Sequence, residues 1–355
     1  MHKTAFILAI LCSFALAQAP SAAPPQPPRT QTSSLAKPAG APRRNPALES
    51  RIRAVLAKSN GVFGVSVRHL ELNEAAGVNE DERFQMASVF KIPVLLELFH
   101  QVEQGKLKLE QRVEFAHPEH YFGSGVLTTL NPGLQPTLRD LATLMIIVSD
   151  NAATDMVCER VGLENVNARL RALGASKTSI EACTRDLILR ALGMQGQPTG
   201  SLTTENLNEA LRTTDPAQRR AAQQQFLREC PNCTTPAEMT MLLEKLVTGQ
   251  AAAADSSEQM LRMLSQQNFN HRLPRWVPGG IRFAHKTGSL NGPVWVVNDA
   301  GIMYLPGGQH VIISVFSHGA AMDEDGVVLK SGITNAEDRI AEIGKLVEEY
   351  YSARP

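Results

Sequence analysis

A serine three residues ahead of a lysine, Ser88-Val89-Phe90-Lys91, stands where a long apolar run begins. If the run is helical, the two side chains project from one face about one turn apart. A neutral lysine amine placed there can take the hydroxyl proton and leave the serine a nucleophile. The pair alone carries little weight. Ser-x-x-Lys arises by chance roughly once in a chain of this length, and a second copy, Ser34-Leu35-Ala36-Lys37, lies in a Pro- and Ala-rich stretch unable to build a site. Two further groups change the balance. Ser149-Asp150-Asn151 falls between two expected helices, where side chains can point into a cleft, and Lys286-Thr287-Gly288-Ser289 ends an expected strand. Taken singly, Ser149 reads as a helix cap and Lys286 as an edge-strand charge. Each tripeptide occurs by chance in well under a tenth of chains this size, and all three motifs in this order are far rarer.

The elements that must position these residues follow from periodicity. Leu48, Ile52, Val55 and Leu56 have helical spacing that ends at Asn60-Gly61. Val62 to Arg68 reads as a strand, and a turn-rich stretch marked by Asn73, Gly77 and Asn79 leads to a short strand near Phe84. After Ser88, the apolar residues Ile92, Leu95, Leu96, Phe99 and Val102 repeat at helical spacing, and Pro93 is tolerable only in a first turn, so the helix starts close to Ser88. Thr137 caps a helix that runs to Ser149, another spans Ala152 to Val161, and a short one covers Val166 to Leu173. Residues 183–233 are Gln- and Arg-rich with weak periodicity. A helix follows Thr234-Thr235-Pro236, and three strands are expected over Ile281 to Thr287, Val294 to Tyr304 and Val311 to Phe316. A last helix, capped by Asn335, turns Ile340, Ile343, Leu346, Val347 and Tyr350 inward. The expected fold class is α/β (α+β): an antiparallel sheet flanked by N- and C-terminal helices, with an all-helical region inserted.

The chain has 355 residues, 43% hydrophobic and 20% charged, enough for a sizeable core. Lys+Arg and Asp+Glu are both 35, so charge gives no reason to expect nucleic acid or an anionic membrane as partner. His2 and Lys3 precede an apolar run to Leu16, and Ala15-Leu16-Ala17 resembles a cleavage site, so residues 1–17 are expected to be an export signal and the mature protein periplasmic or secreted. The run is too short to span a bilayer, and Cys12, behind bulky Leu11, fits no lipid-anchor pattern. Residues 18–46 read as a disordered linker and 47–355 as the catalytic domain, with an α/β part at 47–86 and 275–355 and a helical part at 87–274. Cys158, Cys183, Cys230 and Cys233 remain. The Cys230-Pro231-Asn232-Cys233 pair lacks a thioredoxin-like context and zinc-ligand spacing, which leaves a structural disulfide, local or to Cys158 or Cys183. No feature argues for a metal or another cofactor.

With Ser88-x-x-Lys91, Ser149-Asp150-Asn151 and Lys286-Thr287-Gly288 in place, the sequence resembles the penicillin-recognising serine hydrolases and, within them, the class A β-lactamases, from about residue 46 to the C-terminus. The resemblance implies that Ser88 attacks the β-lactam carbonyl and that Lys91 helps deprotonate it, with a pKa depressed by desolvation and neighbouring cations. It implies that Ser149 passes a proton to the departing ring nitrogen, with Lys286 lowering its proton affinity. Asn151 would bind the substrate's side-chain amide, and Lys286, Thr287, Gly288 and Ser289 its carboxylate end. The N–H groups of Ser88 and Ser289 would form the oxyanion hole. Tyr121 is placed at the flank of the cleft, with an ordinary surface tyrosine as the alternative reading. The substrate would be a small β-lactam or a peptidoglycan-like molecule, and the enzyme a monomer. The sequence departs from the family in two places. The glutamate of the family's E-x-x-L-N phrase cannot be placed: Thr184 falls at its position, Glu181 and Asp186 are offset, and Glu205 arrives some twenty residues late in a segment that reads as a helix capped by Thr204. No arginine follows on the strand at Val294 to Val297. The expected activity is therefore a secreted serine β-lactamase, with two alternatives: a related peptidase or esterase, or a β-lactam sensor that acylates and stays acylated.

Overall fold

A computed structural model describes residues 40–195, 203–292, 294–320 and 330–354, all within one unit, 32–355. The expected export signal, Ser34 and Lys37 lie outside the described residues. The first described element is β1 (Arg43–Arg44), which falls within the expected disordered linker, because these residues pair with Glu74 and Ala75. Helix α1 (Pro46–Leu56) is capped by Asn45, whose side chain accepts the Leu48 N–H at 3.1 Å, and it buries Leu48, Ile52 and Val55. Strands β2 (Val62–His69) and β3 (Glu74–Val78) pair antiparallel, with Val65 opposite Val78 and His69 opposite Glu74. The stretch expected to be only turns thus contains a strand. Asn73 and Asn79 do take left-handed conformations at its ends (φ 50° and 49°). Between them, the small residues Ala75, Ala76 and Gly77 conceal the β pattern. A Cβ on Gly77 would lie 2.2 Å from a Glu80 carboxylate oxygen.

The short β4 (Phe84–Gln85) leads into a 3-10 turn at Ala87–Phe90 and then α2 (Lys91–Glu103), with Pro93 in its first turn. The nucleophile candidate therefore sits on the tighter turn, one step ahead of the α-helix proper. A capping box between Thr137 and Asp140 starts α3 (Leu138–Ile147), and Asp150 caps α4 (Asn151–Val161). Helix α5 (Leu163–Ala172) follows. The weakly periodic region holds α6 (Thr184–Ala191), α7 (Thr204–Thr213) and α8 (Pro216–Glu229). The expected cap of α7 moves by one residue: Thr203 Oγ1 accepts the Asn206 N–H, and Thr204 is already helical. Cys230 and Cys233 form the local disulfide, while Cys158 and Cys183 are free.

Strand β5 (Cys233–Thr234) pairs with β4, and α9 (Pro236–Val247) and α10 (Ala254–Ser265) complete the helical part. The chain ends in β6 (Arg282–Leu290), β7 (Val294–Leu305), β8 (Gln309–Ala320) and α11 (Lys330–Ser352). The described main sheet has the order β1-β3-β2-β8-β7-β6, antiparallel except for the β1–β3 pair. Helices α1 and α11 cover one face, through Leu48, Ile52, Ile340, Ile343 and Val347. Helix α9 covers the other, where Thr240 Oγ1 donates to Ser314 Oγ at 2.9 Å. Asn335 is not the start of α11, which is helical from Lys330. Ile333 and Ala336 extend the inward stripe upstream, and the Asn335 amide reaches Lys58 O instead. Among the described residues no helix is long and apolar enough to cross a membrane.

One close approach tests this packing. Gly344 lies where α11 crosses the backbone of Leu273, and a Cβ there would stand 2.1 Å from Leu273 O. Leu273 cannot retreat easily, because its N–H is held by Asp299 Oδ2 at 3.1 Å. In an open helix Gly→Ala would stabilise by about 1 kcal/mol. Here the overpacking term, about 1–3 kcal/mol, opposes and exceeds it. Gly344→Ala is expected to lower the urea midpoint. A raised midpoint would show that α11 has room to shift.

Candidate active site

The turn that carries Ser88 is fixed from behind. Ala87 is held at φ 43°, an uncommon conformation for a residue with a side chain. Asn298, fully buried on β7, donates through Nδ2 to both Gln85 O and Met86 O at 2.9 Å, and its Oδ1 accepts the Ser317 N–H from β8. Strand β6 comes against the same turn backbone to backbone. A Cβ on Gly288 would lie 2.5 Å from Met86 O and 3.0 Å from the Ser88 and Val89 nitrogens. Only glycine permits that approach, so the third residue of Lys286-Thr287-Gly288 is a packing requirement of the Ser88 turn.

Lys91 has no exposed surface. Its Nζ donates to Ser149 O at 2.8 Å, Ser149 Oγ at 3.1 Å and Asn151 Oδ1 at 3.0 Å. The first and second motifs are thus joined by one ammonium or amine. Burial lowers the Lys91 pKa from 10.5 to about 7. Asp155 and Asp150 push the value back up. Lys286 lies near enough for mutual like-charge repulsion, and burial and then Lys91 hold it well below an ordinary lysine. Lys286 is also without exposed surface, and its Nζ donates to Thr287 O at 2.8 Å.

Ser149 takes φ 56° at the bend between α3 and α4. Asp150 turns the other way and stitches the neighbouring loop down: its Oδ2 accepts the Val126 and Leu127 N–H groups, both at 2.7 Å, and its Oδ1 caps α4 through Ala153. Asn151 adds Nδ2 to Phe122 O and its own N–H to Ser124 O. A cavity of about 280 Å³ opens over this floor, with Ser88, Asn151 and Ser289 among its walls. Lys91, Ser149, Lys286 and Thr287 are buried residues of the same neighbourhood. Tyr121 is not among the described lining residues. Its ring stacks on Phe115 at 5.9 Å, and burial, then Glu159 and Asp155, raise its phenol to about 12.

Several residues of this neighbourhood escape sequence reasoning. No arginine stands on β7 near the cavity, but buried Arg272 arrives from the loop before β6. It donates to Gly288 O at 2.9 Å, Asn298 O at 2.8 Å and Ser289 Oγ, and pairs with Glu337. Asn232, inside the Cys230–Cys233 turn, accepts the Glu181 and Ala182 N–H groups and donates to Ala182 O, which ties the disulfide to the segment leading into α6. The three carboxylates considered for water activation all face solvent: Glu181 pairs with Arg190, Asp186 lies beside Arg185, and Glu205 is exposed on α7. Among the described residues lining the cavity none carries a carboxyl group. Thr184 does line it. Behind Thr184 lies buried Asp155, one helical turn after Asn151 on α4.

Comparison with known proteins agrees with this geometry at the level of family and fold. The profile of the beta-lactamase enzyme family matches residues 47–351. The chain is 24% identical over 316 residues to the beta-lactamase VEB-1 of Pseudomonas aeruginosa, covering 86% of this chain and 90% of that protein. It is 24% identical to the extended-spectrum beta-lactamase PER-1 of the same organism, over 77% and 80% of the two chains. A solved beta-lactamase from Sphaerobacter thermophilus is 29% identical, with a TM-score of 0.66 over 87% of this chain and 98% of that one. PBP-A superposes with a TM-score of 0.68 at 22% identity, over 88% and 99%. The chain belongs to the beta-lactamase enzyme family and is a β-lactamase-type serine hydrolase.

Proposed function

We propose that this chain is an exported serine β-lactamase that opens the lactam ring through an ester on Ser88. The observation that carries the reading is the convergence of Lys91 Nζ on Ser149 Oγ and Asn151 Oδ1, beside a cavity that contains Ser88. In this reading the neutral Lys91 amine takes the Ser88 proton as Oγ bonds to the lactam carbonyl carbon. The carbonyl oxygen turns toward the N–H groups of Ser88 and Ser289, donors worth about 3 kcal/mol each in comparable sites. The proton passes through Ser149 to the ring nitrogen as the C–N bond breaks. Lys286, Thr287 and Ser289 receive the substrate carboxylate, with Arg272 supplying positive charge behind Ser289. Export rests on the basic-apolar-small pattern of residues 1–17. A second reading, a sensor that stays acylated, draws on the lack of a carboxylate among the described cavity walls. Loss of general-base help slows a proton transfer by about 10²- to 10⁴-fold.

Purified protein mixed with a chromogenic cephalosporin is expected to give sustained colour, and Ser88→Ala to lose it by about 10³-fold or more. A single stoichiometric burst with a persistent mass adduct would favour the sensor, and turnover by Ser88→Ala would refute the role of Ser88. The acylation rate should also follow Lys91. The amine is the reactive form and its pKa is held to about 7, so the rate should rise roughly tenfold per pH unit below 7 and level above it. A rate still climbing toward pH 10 in stopped-flow measurements would mean that Lys91 titrates as an ordinary lysine.

A further inference from the structure

Acylation is half of a hydrolytic cycle. Water must then attack the Ser88 ester, and it must lose a proton in doing so. The described cavity walls offer no carboxylate for this, but they do include one unusual hydroxyl. Thr184, the first residue of α6, is 5% exposed, and its buried Oγ1 has no close hydrogen-bond partner, the Asp155 carboxylate being the group its hydroxyl bears on. A hydroxyl on a cavity wall that bears on a carboxylate behind it keeps its lone pairs for a water in front.

Directly behind it, Asp155 anchors the same residue. Asp155 Oδ1 accepts the Thr184 N–H at 2.5 Å, and Oδ2 accepts the Arg185 N–H at 3.0 Å. Each carboxylate oxygen keeps a further lone pair. Asp155 stands one turn along α4 from Asn151, which holds Lys91. This places a buried proton acceptor behind the cavity wall, near enough for its charge to act on the Lys91 amine.

We propose that Thr184 and Asp155 form the water-handling side of this active site. Thr184 Oγ1 holds the hydrolytic water over the Ser88 ester, and Asp155 acts through Thr184 as the proton acceptor. The proposal rests on the Ser88 ester of the preceding reading and adds how that ester is discharged. The water oxygen bonds to the acyl carbon while its proton moves to Thr184 Oγ1 and the hydroxyl's own proton moves to Asp155. The tetrahedral centre then collapses, and the bond from the acyl carbon to Ser88 Oγ breaks. The proton on Asp155 returns to Thr184 Oγ1, and the proton that hydroxyl took from the water passes to the departing Ser88 oxygen. The products are the free acid and the Ser88 hydroxyl, with no other reactant consumed.

The groups facing Asp155 are Lys91 from α2, Tyr121 from the loop, the free thiol of Cys158 (hydrogen-bonded to the Cys183 thiol) on its own helix, and Arg185 from α6, whose guanidinium stacks on Phe122 at 5.7 Å. Burial raises the Asp155 acid to about 7, against the Arg185 and Thr184 N–H groups, Lys91 and the Thr184 hydroxyl, which lower it. Ester discharge should therefore be slow below pH 7, where Asp155 is protonated, and faster above it.

The test follows the mass of the intact protein after a pulse of benzylpenicillin, from pH 5 to 9, in the unaltered chain and in Thr184→Val, Thr184→Ser, Asp155→Asn and Glu205→Gln. Thr184→Val and Asp155→Asn should still acquire the adduct but hold it on the order of 100-fold longer. Thr184→Ser should restore discharge, Asp155→Asn should lose the rise through pH 7, and Glu205→Gln should behave as the unaltered chain. A merely structural role for Asp155 would not move that pH profile. If Asp155→Asn does not fold, the nearly isosteric Thr184→Val carries the test. A normal adduct lifetime in Thr184→Val, or a prolonged one in Glu205→Gln, overturns this assignment alone. Neither adduct nor turnover in the unaltered chain overturns the Ser88 ester and this assignment with it.

Discussion

A lysine with no exposed surface organises the centre of this protein. Withdrawing an ammonium from water is costly, and the cost is met by pairing or by giving up the charge. Lys91 does both in part: it makes three hydrogen bonds to the Ser149–Asn151 corner, and its pKa falls to about 7. The corner must then present a carbonyl, a hydroxyl and an amide oxygen to one nitrogen. That demand accounts for the left-handed conformation at Ser149 and for an asparagine at the start of α4. A second buried lysine, Lys286, lies close enough to repel the first, and burial and that repulsion hold it well below an ordinary lysine.

The three motifs come from different parts of the chain, and buried polar clamps join the apolar core in holding them together. Asn298 grips the two carbonyls before the Ser88 turn, and Arg272 grips the Gly288 carbonyl on the neighbouring strand. Asp299 fixes both the Leu273 N–H and the His285 ring. Each clamp is buried, so loss of any partner would strand a donor or acceptor at a cost of about 1–3 kcal/mol. The cavity therefore inherits its rigidity from β6 and β7. On the opposite wall, α6 is fastened by Asp155 and, through the segment before it, by Asn232 of the disulfide turn.

The sequence was most legible where one physical rule dominates. Pro93 and the apolar spacing after it place α2, Thr137 and Asp140 announce α3, and the three motifs declare themselves by residue type and order. Legibility failed where long-range contacts decide. Helices α6 to α8 carry little periodicity because distant residues stabilise them: Asp155 caps α6, and Gln223 of α8 accepts the Val294 N–H across to β7. Strand β3 hid behind small residues, and the true start of α11 hid upstream of a good capping residue, Asn335. Asp155 was invisible for a different reason. A single acid in a helix has no signature until its neighbour across the fold, Thr184, is known.

A covalent bond to one oxygen, Ser88 Oγ, is the central claim. The most direct measurement is acid quenching of the protein within seconds of mixing with benzylpenicillin, followed by proteolysis and tandem mass spectrometry. The expected result is the penicilloyl mass on the peptide that contains Ser88, with fragment ions assigning it to that residue. The same mass on another residue, with the Ser88 peptide unmodified while substrate is consumed, would contradict it.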